Sequence, residues 1–170
     1  DIASKEYGVE KMLNEMNESW APIQFTFNAS FRDTGAAIVK GESVDIVSEI
    51  LEEQIVKIQT LSSLPQAQHF IDEVHRQEEF LTTTQRLSEL IVKVQSAWMY
   101  LYPVFGSDDI KKALSNESDA FATIDTEWRR ITTRAQVNPT VTRVSAIENI
   151  VGRLEAMDLS LDSIQLGLKR

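Results

Sequence analysis

Asp72 and His75 stand three residues apart, a spacing that puts a carboxylate and an imidazole on one face of a helix. That is half of the carboxylate-x-x-histidine set used by di-iron bundles. The second half is missing. His69 and His75 are the only histidines, six residues apart and so on different helix faces, and cysteine is absent. A zinc site would therefore lack ligands. The adjacent acids Glu52-Glu53 and Asp108-Asp109 read as solvated or capping residues rather than an acid–base pair. The serines fall at helix caps and breaks and offer no nucleophile-base-acid set. Nothing resembles a phosphate-cradling G-x-x-x-x-G-K-S/T or G-x-G-x-x-G loop. No catalytic, metal or cofactor site is expected.

Composition narrows the partners. The 170 residues carry a net charge of −9, and the basic pairs Lys111-Lys112, Arg129-Arg130 and Lys169-Arg170 sit among acids. Solvated helix faces explain them, and no nucleic-acid partner is expected. No apolar run approaches the roughly 18 residues of a membrane span, so no membrane partner is expected either. A hydrophobic fraction of 42% with 25% charge suits a globular domain. The lack of cysteine fits a reducing intracellular compartment. The opening residues Asp1 to Glu6 include neither an initiator Met nor a signal core, which predicts an internal segment of a longer protein.

Apolar spacing predicts a mainly α fold, an elongated multi-helix bundle with one small β-hairpin near residues 23–40. A first helix is expected over about 4–20, with Tyr7, Met12 or Leu13, Met16 and Trp20 on its stripe, stopped by Pro22. Ile23, Phe25 and Phe27 alternate with polar residues as a half-buried strand does. Arg32-Asp33-Thr34-Gly35 would turn the chain, Gly35 taking positive φ, into a returning strand at 37–41. A second helix over 42–61 carries Val47, Ile50, Leu51, Ile55 and Ile58. Ser62-Ser63-Leu64-Pro65 breaks it.

A long helix is expected from about Gln66 to Tyr102, roughly 50 Å if unbroken. It has two apolar sectors, separated by a weak spot or kink at Thr82-Thr83-Thr84. Pro103 would close it. A short helix at 107–114 has Ser107 as its N-cap, and Asn116 could cap the next, which carries Phe121, Ile124, Trp128 and Ile131. Asn138-Pro139 reads as cap and first residue of a last helix. That helix would bear Val144, Ile147, Ile150, Leu154, Met157, Leu161 and Ile164, and it ends at Lys169-Arg170 without a stop signal, as if cut. Candidate subdomains are 1–64, helix-hairpin-helix, and 65–170, a helical bundle.

The densest aromatic cluster surrounds Pro103. Trp98, Tyr100, Leu101, Pro103 and Phe105 spell W-x-Y-L-x-P-x-F; Ser107, Asp109 and Ile110 spell S-x-D-I; Phe121, Asp125 and Trp128 spell F-x-x-x-D-x-x-W. By spacing alone these aromatics are core. As motifs they resemble the linker region of dynein heavy chains. The resemblance extends to Lys5-Glu6-Tyr7 with Leu13, Met16 and Trp20, to Leu51-Glu52-Glu53 with Gln59-Thr60, and to Leu161, Ile164 and Gln165. Four positions depart from it. Tyr102 stands where the family usually has Glu, Ser115 where it has Pro, Gln77 where Trp is common, and Ser62-Ser63 lacks the usual Gly-Ser-Pro.

The resemblance implies the C-terminal part of the linker, upstream of the first AAA+ module, in a cytoplasmic or axonemal motor. Such a segment is a mechanical, non-catalytic part. It would work with the AAA+ ring and the tail of the same heavy chain, the ring binding ATP and magnesium and the segment itself no cofactor. The residues implied as its structural signature are Trp20, Trp98, Tyr100, Leu101, Pro103, Phe105, Phe121, Asp125 and Trp128. Candidate flex points are Pro65, Thr83 and Pro103. The competing reading is a spectrin-like or adaptor bundle that binds a partner helix. A hairpin at 23–40 separates the two, since a plain three-helix repeat has no place for one.

Overall fold

Side chains spaced three and four residues apart recur along most of the chain, and burying those stripes produces helices. The computed structural model describes residues 2–28, 31–32 and 34–169. Its elements are α1 (Ile2–Trp20), β1 (Phe27–Asn28), β2 (Ile38–Val39), α2 (Gly41–Ser62), a 3-10 helix (Pro65–Phe70), α3 (Ile71–Val104), α4 (Asp108–Ala113), α5 (Ser115–Val137), α6 (Val141–Ser145) and α7 (Ile150–Leu168). The fold is mainly α, with one two-stranded antiparallel hairpin, as the sequence predicts.

α3 is the spine. α2, α6, α7, the 3-10 helix and β2 all pack on it, while α5 packs on α7 and α1 on the 3-10 helix. Among its buried positions, Val74, Gln77, Leu81, Thr84, Leu87, Ile91, Val94, Trp98 and Leu101 follow one another at three or four residues, with Ser88 and Leu90 buried beside them. The two expected apolar sectors are thus a single stripe. The helix runs unbroken through Thr82-Thr83-Thr84 because Thr84 is itself fully buried on that stripe. Packing overrides the weak local preference of β-branched residues.

The start and end of this spine differ from expectation. Residues 65–70 form a 3-10 helix, with Pro65 as its first residue, and the α-helix begins at Ile71. At the other end Pro103 does not stop α3, which continues to Val104. In the last turn a proline forfeits only one backbone bond. The chain leaves the helix at Phe105 and Gly106, whose N–H groups donate to Leu101 O (3.0 Å) and Pro103 O (3.2 Å).

The expected strand over 23–28 divides between two partners. Thr26 to Asn28 pairs with 38–40, with Phe27 opposite Val39 and Asn28 opposite Ile38. Residues 23–25 pair instead with 139–141: Phe25 N–H donates to Pro139 O (2.9 Å) and Val141 N–H to Ile23 O (3.0 Å). The alternation predicted the extended backbone but not the second partner. Gly35 has the expected positive φ of 77°; Asp33 lies outside the described residues, as does Arg170.

Of the three expected caps, one holds and two differ. Ser107 caps α4 as expected, accepting from Ile110 N–H. Asn116 caps nothing: α5 begins at Ser115 directly after Leu114, with no side-chain cap. Asn138 ends α5, and it is Thr140 Oγ1 that caps α6, accepting from Arg143 N–H. The single last helix is two, α6 and α7, separated by Asn149 at φ 51°. Asparagine tolerates this left-handed conformation better than most non-glycine residues. Among the described residues no helix is long and apolar enough to cross a membrane.

Candidate functional site: an aromatic junction tied by buried polar groups

Trp98 is fully buried on α3, and its indole N–H donates to Asp125 Oδ1 on α5 at 2.8 Å. Arg129, one turn further along α5, grips the same carboxylate through Nε (3.0 and 3.2 Å). Its Nη1 donates to Thr34 O in the hairpin turn (2.8 Å), and its guanidinium lies over the Tyr102 ring at 5.8 Å. One partly buried ion pair therefore ties α3, α5 and the hairpin together. Hydrogen bonds to charged groups contribute about 1.5–3 kcal/mol.

Rings surround this knot. Trp98 contacts Phe31 and Tyr102, each at 5.3 Å between centroids; Tyr102 meets Phe121 edge-on at 6.4 Å, and Phe105 stacks on Phe121 at 5.3 Å. Leu101 is fully buried beside them. Tyr102, a departure from the family pattern, is thus an integral member: a ring between two others and a cation partner. Tyr100 is not core. Two residues from Trp98, it points away from the stripe and is 59% exposed.

Trp128 is buried on α5, but among the described residues its Nε1 has no hydrogen-bond partner. It lines a small apolar cavity together with Phe25, Phe27, Leu87 and Leu154. Trp20, at the end of α1, resembles Trp98 instead: its N–H donates to Gln54 Oε1 on α2 (2.8 Å). Gln77 Nε2 donates to the same oxygen (3.2 Å), and Gln54 Nε2 donates to Ser19 Oγ (2.6 Å). This buried triangle fastens α1, α2 and α3. Gln77, at another departure from the family pattern, supplies one corner of it.

The side-chain amide of Gln95 completes the set. Val39 N–H donates to Gln95 Oε1 (2.7 Å), and Gln95 Nε2 donates back to Val39 O (3.0 Å). An α3 side chain thereby pairs with the open edge of β2 as a neighbouring strand would. Replacing Gln95 by leucine strands both backbone groups of Val39 and is expected to cost about 1–3 kcal/mol. Urea unfolding and faster amide exchange at Val39 would report it.

Sequence reasoning missed Gln54, Gln77 and Gln95. A signal existed for two of them: Gln54 sits between Leu51 and Ile58, and Gln77 between Val74 and Leu81, at core-facing spacing. The flex-point candidates are scattered. Pro65 is exposed in the 3-10 helix, Thr83 lies mid-helix beside buried Thr84, and Pro103 is exposed in the last turn of α3. Among the described residues, no three His, Asp or Glu side chains converge as metal ligands would. His75 is exposed, and His69 pairs with Glu6 at 3.0 Å.

Residues 1–170 match the family described as "Dynein heavy chain, N-terminal region 2". The chain belongs to the dynein heavy chain family. It is 34% identical over 166 residues to "Dynein axonemal heavy chain 12" of Homo sapiens, covering 98% of this chain and 5% of that one. It is 33% identical over 168 residues to "Dynein axonemal heavy chain 1" of Mus musculus, covering 99% and 4%. To "Dynein beta chain, ciliary" of Tripneustes gratilla it is 33% identical over 162 residues, covering 95% and 4%. This dynein segment therefore spans about one-twentieth of the length of these relatives. The Trp98–Asp125–Arg129 knot is built on two of the motifs that carry the family resemblance.

Proposed function

We propose that this segment is the C-terminal part of a dynein linker, passing ATP-driven conformational change from the AAA+ ring to the tail of the same heavy chain for microtubule-based movement. The observation that carries the reading is α3: one uninterrupted helix of 34 residues, braced along its length by helices and the hairpin. At 1.5 Å per residue it is a rod of about 50 Å. A part that transmits displacement needs such stiffness, and a bistable joint elsewhere to absorb the change. The segment itself would be non-catalytic and without a cofactor, with ATP and magnesium held by the ring. Its relatives' names point to the axoneme as the site of the parent motor.

Of the three flex-point candidates, we place the joint at Pro65, where the chain passes from α2 to α3. Here α2 ends, the chain narrows to a 3-10 helix, and Gln66 Oε1 is buried without a partner among the described residues. Hydrogen exchange of the full heavy chain, nucleotide-free and with ATP plus vanadate, tests the proposal. Protection should change across 62–71 and stay constant along the middle of α3. A uniform change along α3, or none across 62–71, would contradict it.

A further inference from the structure

The outer face of α5 differs from the rest of this acidic surface. Thr123, Thr126, Arg130, Thr133 and Val137 follow at spacings of three and four, and all are exposed, Val137 to 73%. They fall on one helix face about 20 Å long. Thr123 and Thr126 donate their hydroxyls back to Asp119 O (3.2 Å) and Ala122 O (3.0 Å), so the single donor of each is spent on its own helix. A shallow groove of about 470 Å³ along this face is lined by Thr126, Arg129, Arg130, Thr133, Arg134 and Val137, and no carboxylate lines it.

The other surface grooves carry their own acids. One of about 600 Å³ between α2 and α3 has Asp45, Glu52 and Glu89 against Arg86 and Lys93. One of about 520 Å³ beside Trp20 has Glu73 with Arg76. Within the 123–137 span the acids of α5 are engaged, Asp125 by Trp98 and Arg129, Glu127 by Arg153 and Arg130; exposed Asp119 stands one turn before Thr123, at the end away from the arginines. Arg134 has no ion-pair partner among the described residues. An acid-free, arginine-bearing helix face with an apolar end is complementary to a helix with carboxylates beside an apolar edge.

We infer that the Thr123–Val137 face of α5 docks an acidic amphipathic helical segment of the same heavy chain, one lying outside these 170 residues. Area argues for that source. A face about 20 Å long and one helix wide offers roughly 200 Å², far short of the ~800 Å² per partner that a stable complex between separate chains uses. A tethered segment needs less contact area, because the tether removes part of the cost of association. The relatives are about twenty times longer than this chain, so a tether is available. The inference deepens the linker reading by naming one of its contact surfaces and the chemistry that meets it.

The test places a photo-crosslinking benzoylphenylalanine at Thr133 in the purified full-length heavy chain, nucleotide-free and with ATP plus vanadate, and maps the products by mass spectrometry. The expected product in at least one state is an intrachain link to a helical segment rich in Asp and Glu. Its yield should fall at least about five-fold in the Arg130→Glu/Arg134→Glu double variant, as opposed charge becomes like charge. It should hold within about two-fold in Arg130→Lys/Arg134→Lys, which keeps the charge and serves as the folding control. A link to a neutral or basic segment, to another polypeptide or to nucleic acid, no link in either state, or indifference to charge reversal would overturn the inference. Microtubule gliding by the same variants reads force transmission separately, so this surface and the linker reading can fail independently.

Discussion

Replacing Trp98 by alanine is expected to destabilise the chain by about 3–5 kcal/mol or more. Truncating a buried aromatic costs that much through lost burial and the cavity left behind. Here the Asp125 carboxylate also loses the indole donor at 2.8 Å, leaving Arg129 as its remaining partner in the knot. Against the 5–15 kcal/mol by which domains are ordinarily stable, this removes between about a fifth and the whole of the margin. Urea unfolding followed by far-ultraviolet circular dichroism measures it.

A matched pair separates the hydrogen bond from the packing. Trp98→Phe and Trp128→Phe remove the same volume from buried sites, but only Trp98 donates an indole N–H to a partner within the described residues. Trp98→Phe should therefore cost about 1–3 kcal/mol more than Trp128→Phe. Equal costs would mean that the Asp125 bond contributes nothing.

Proline at Val92 should be the next most damaging change, at about 3 kcal/mol or more. Val92 is 48% exposed near the middle of α3, so little packing is lost on substitution. What proline removes is the backbone donor to the preceding turn, and its ring clashes with that turn's carbonyl. Val92→Ala tests the distinction. It trims the same side chain but favours the helix by a few tenths of a kcal/mol, and it should leave stability unchanged or slightly raised. Thermal unfolding of both variants would show a drop confined to the proline variant.

The helices were legible because their apolar residues fall on one face: Phe121, Ile124, Trp128 and Ile131 on α5, and Val47, Leu51 and Ile58 on α2. The hairpin turn was legible in Gly35. The division of 23–28 between two partners was not, because its second partner at 139–141 lies more than a hundred residues away and alternation does not say what pairs with what. The break at Asn149 was hidden too, since Val144, Ile147, Ile150 and Leu154 keep helical spacing across it. Tyr100 reads as core in the company of the other aromatics, yet its position two residues from Trp98 puts it on another helix face, where it is exposed. The polar half of the junction was the least legible. Spacing places Gln54 and Gln77 toward the core without saying what they bond, and tertiary structure alone supplies Trp20 and Gln54 as their partners and Val39 as that of Gln95.

Stiffness in α3 is what the proposed force-transmitting role requires of this fold. Microtubule gliding and ATPase activity of the full-length heavy chain carrying Val92→Pro, compared with Val92→Ala, measure that requirement directly. The two activities should part company: gliding velocity falling several-fold in the proline variant, with ATP turnover per motor held within about two-fold of the alanine variant, as a kinked rod wastes the displacement that the ring still produces. Undiminished gliding with a kinked α3, or velocity and turnover falling in step, would show that this helix is not the element through which movement passes.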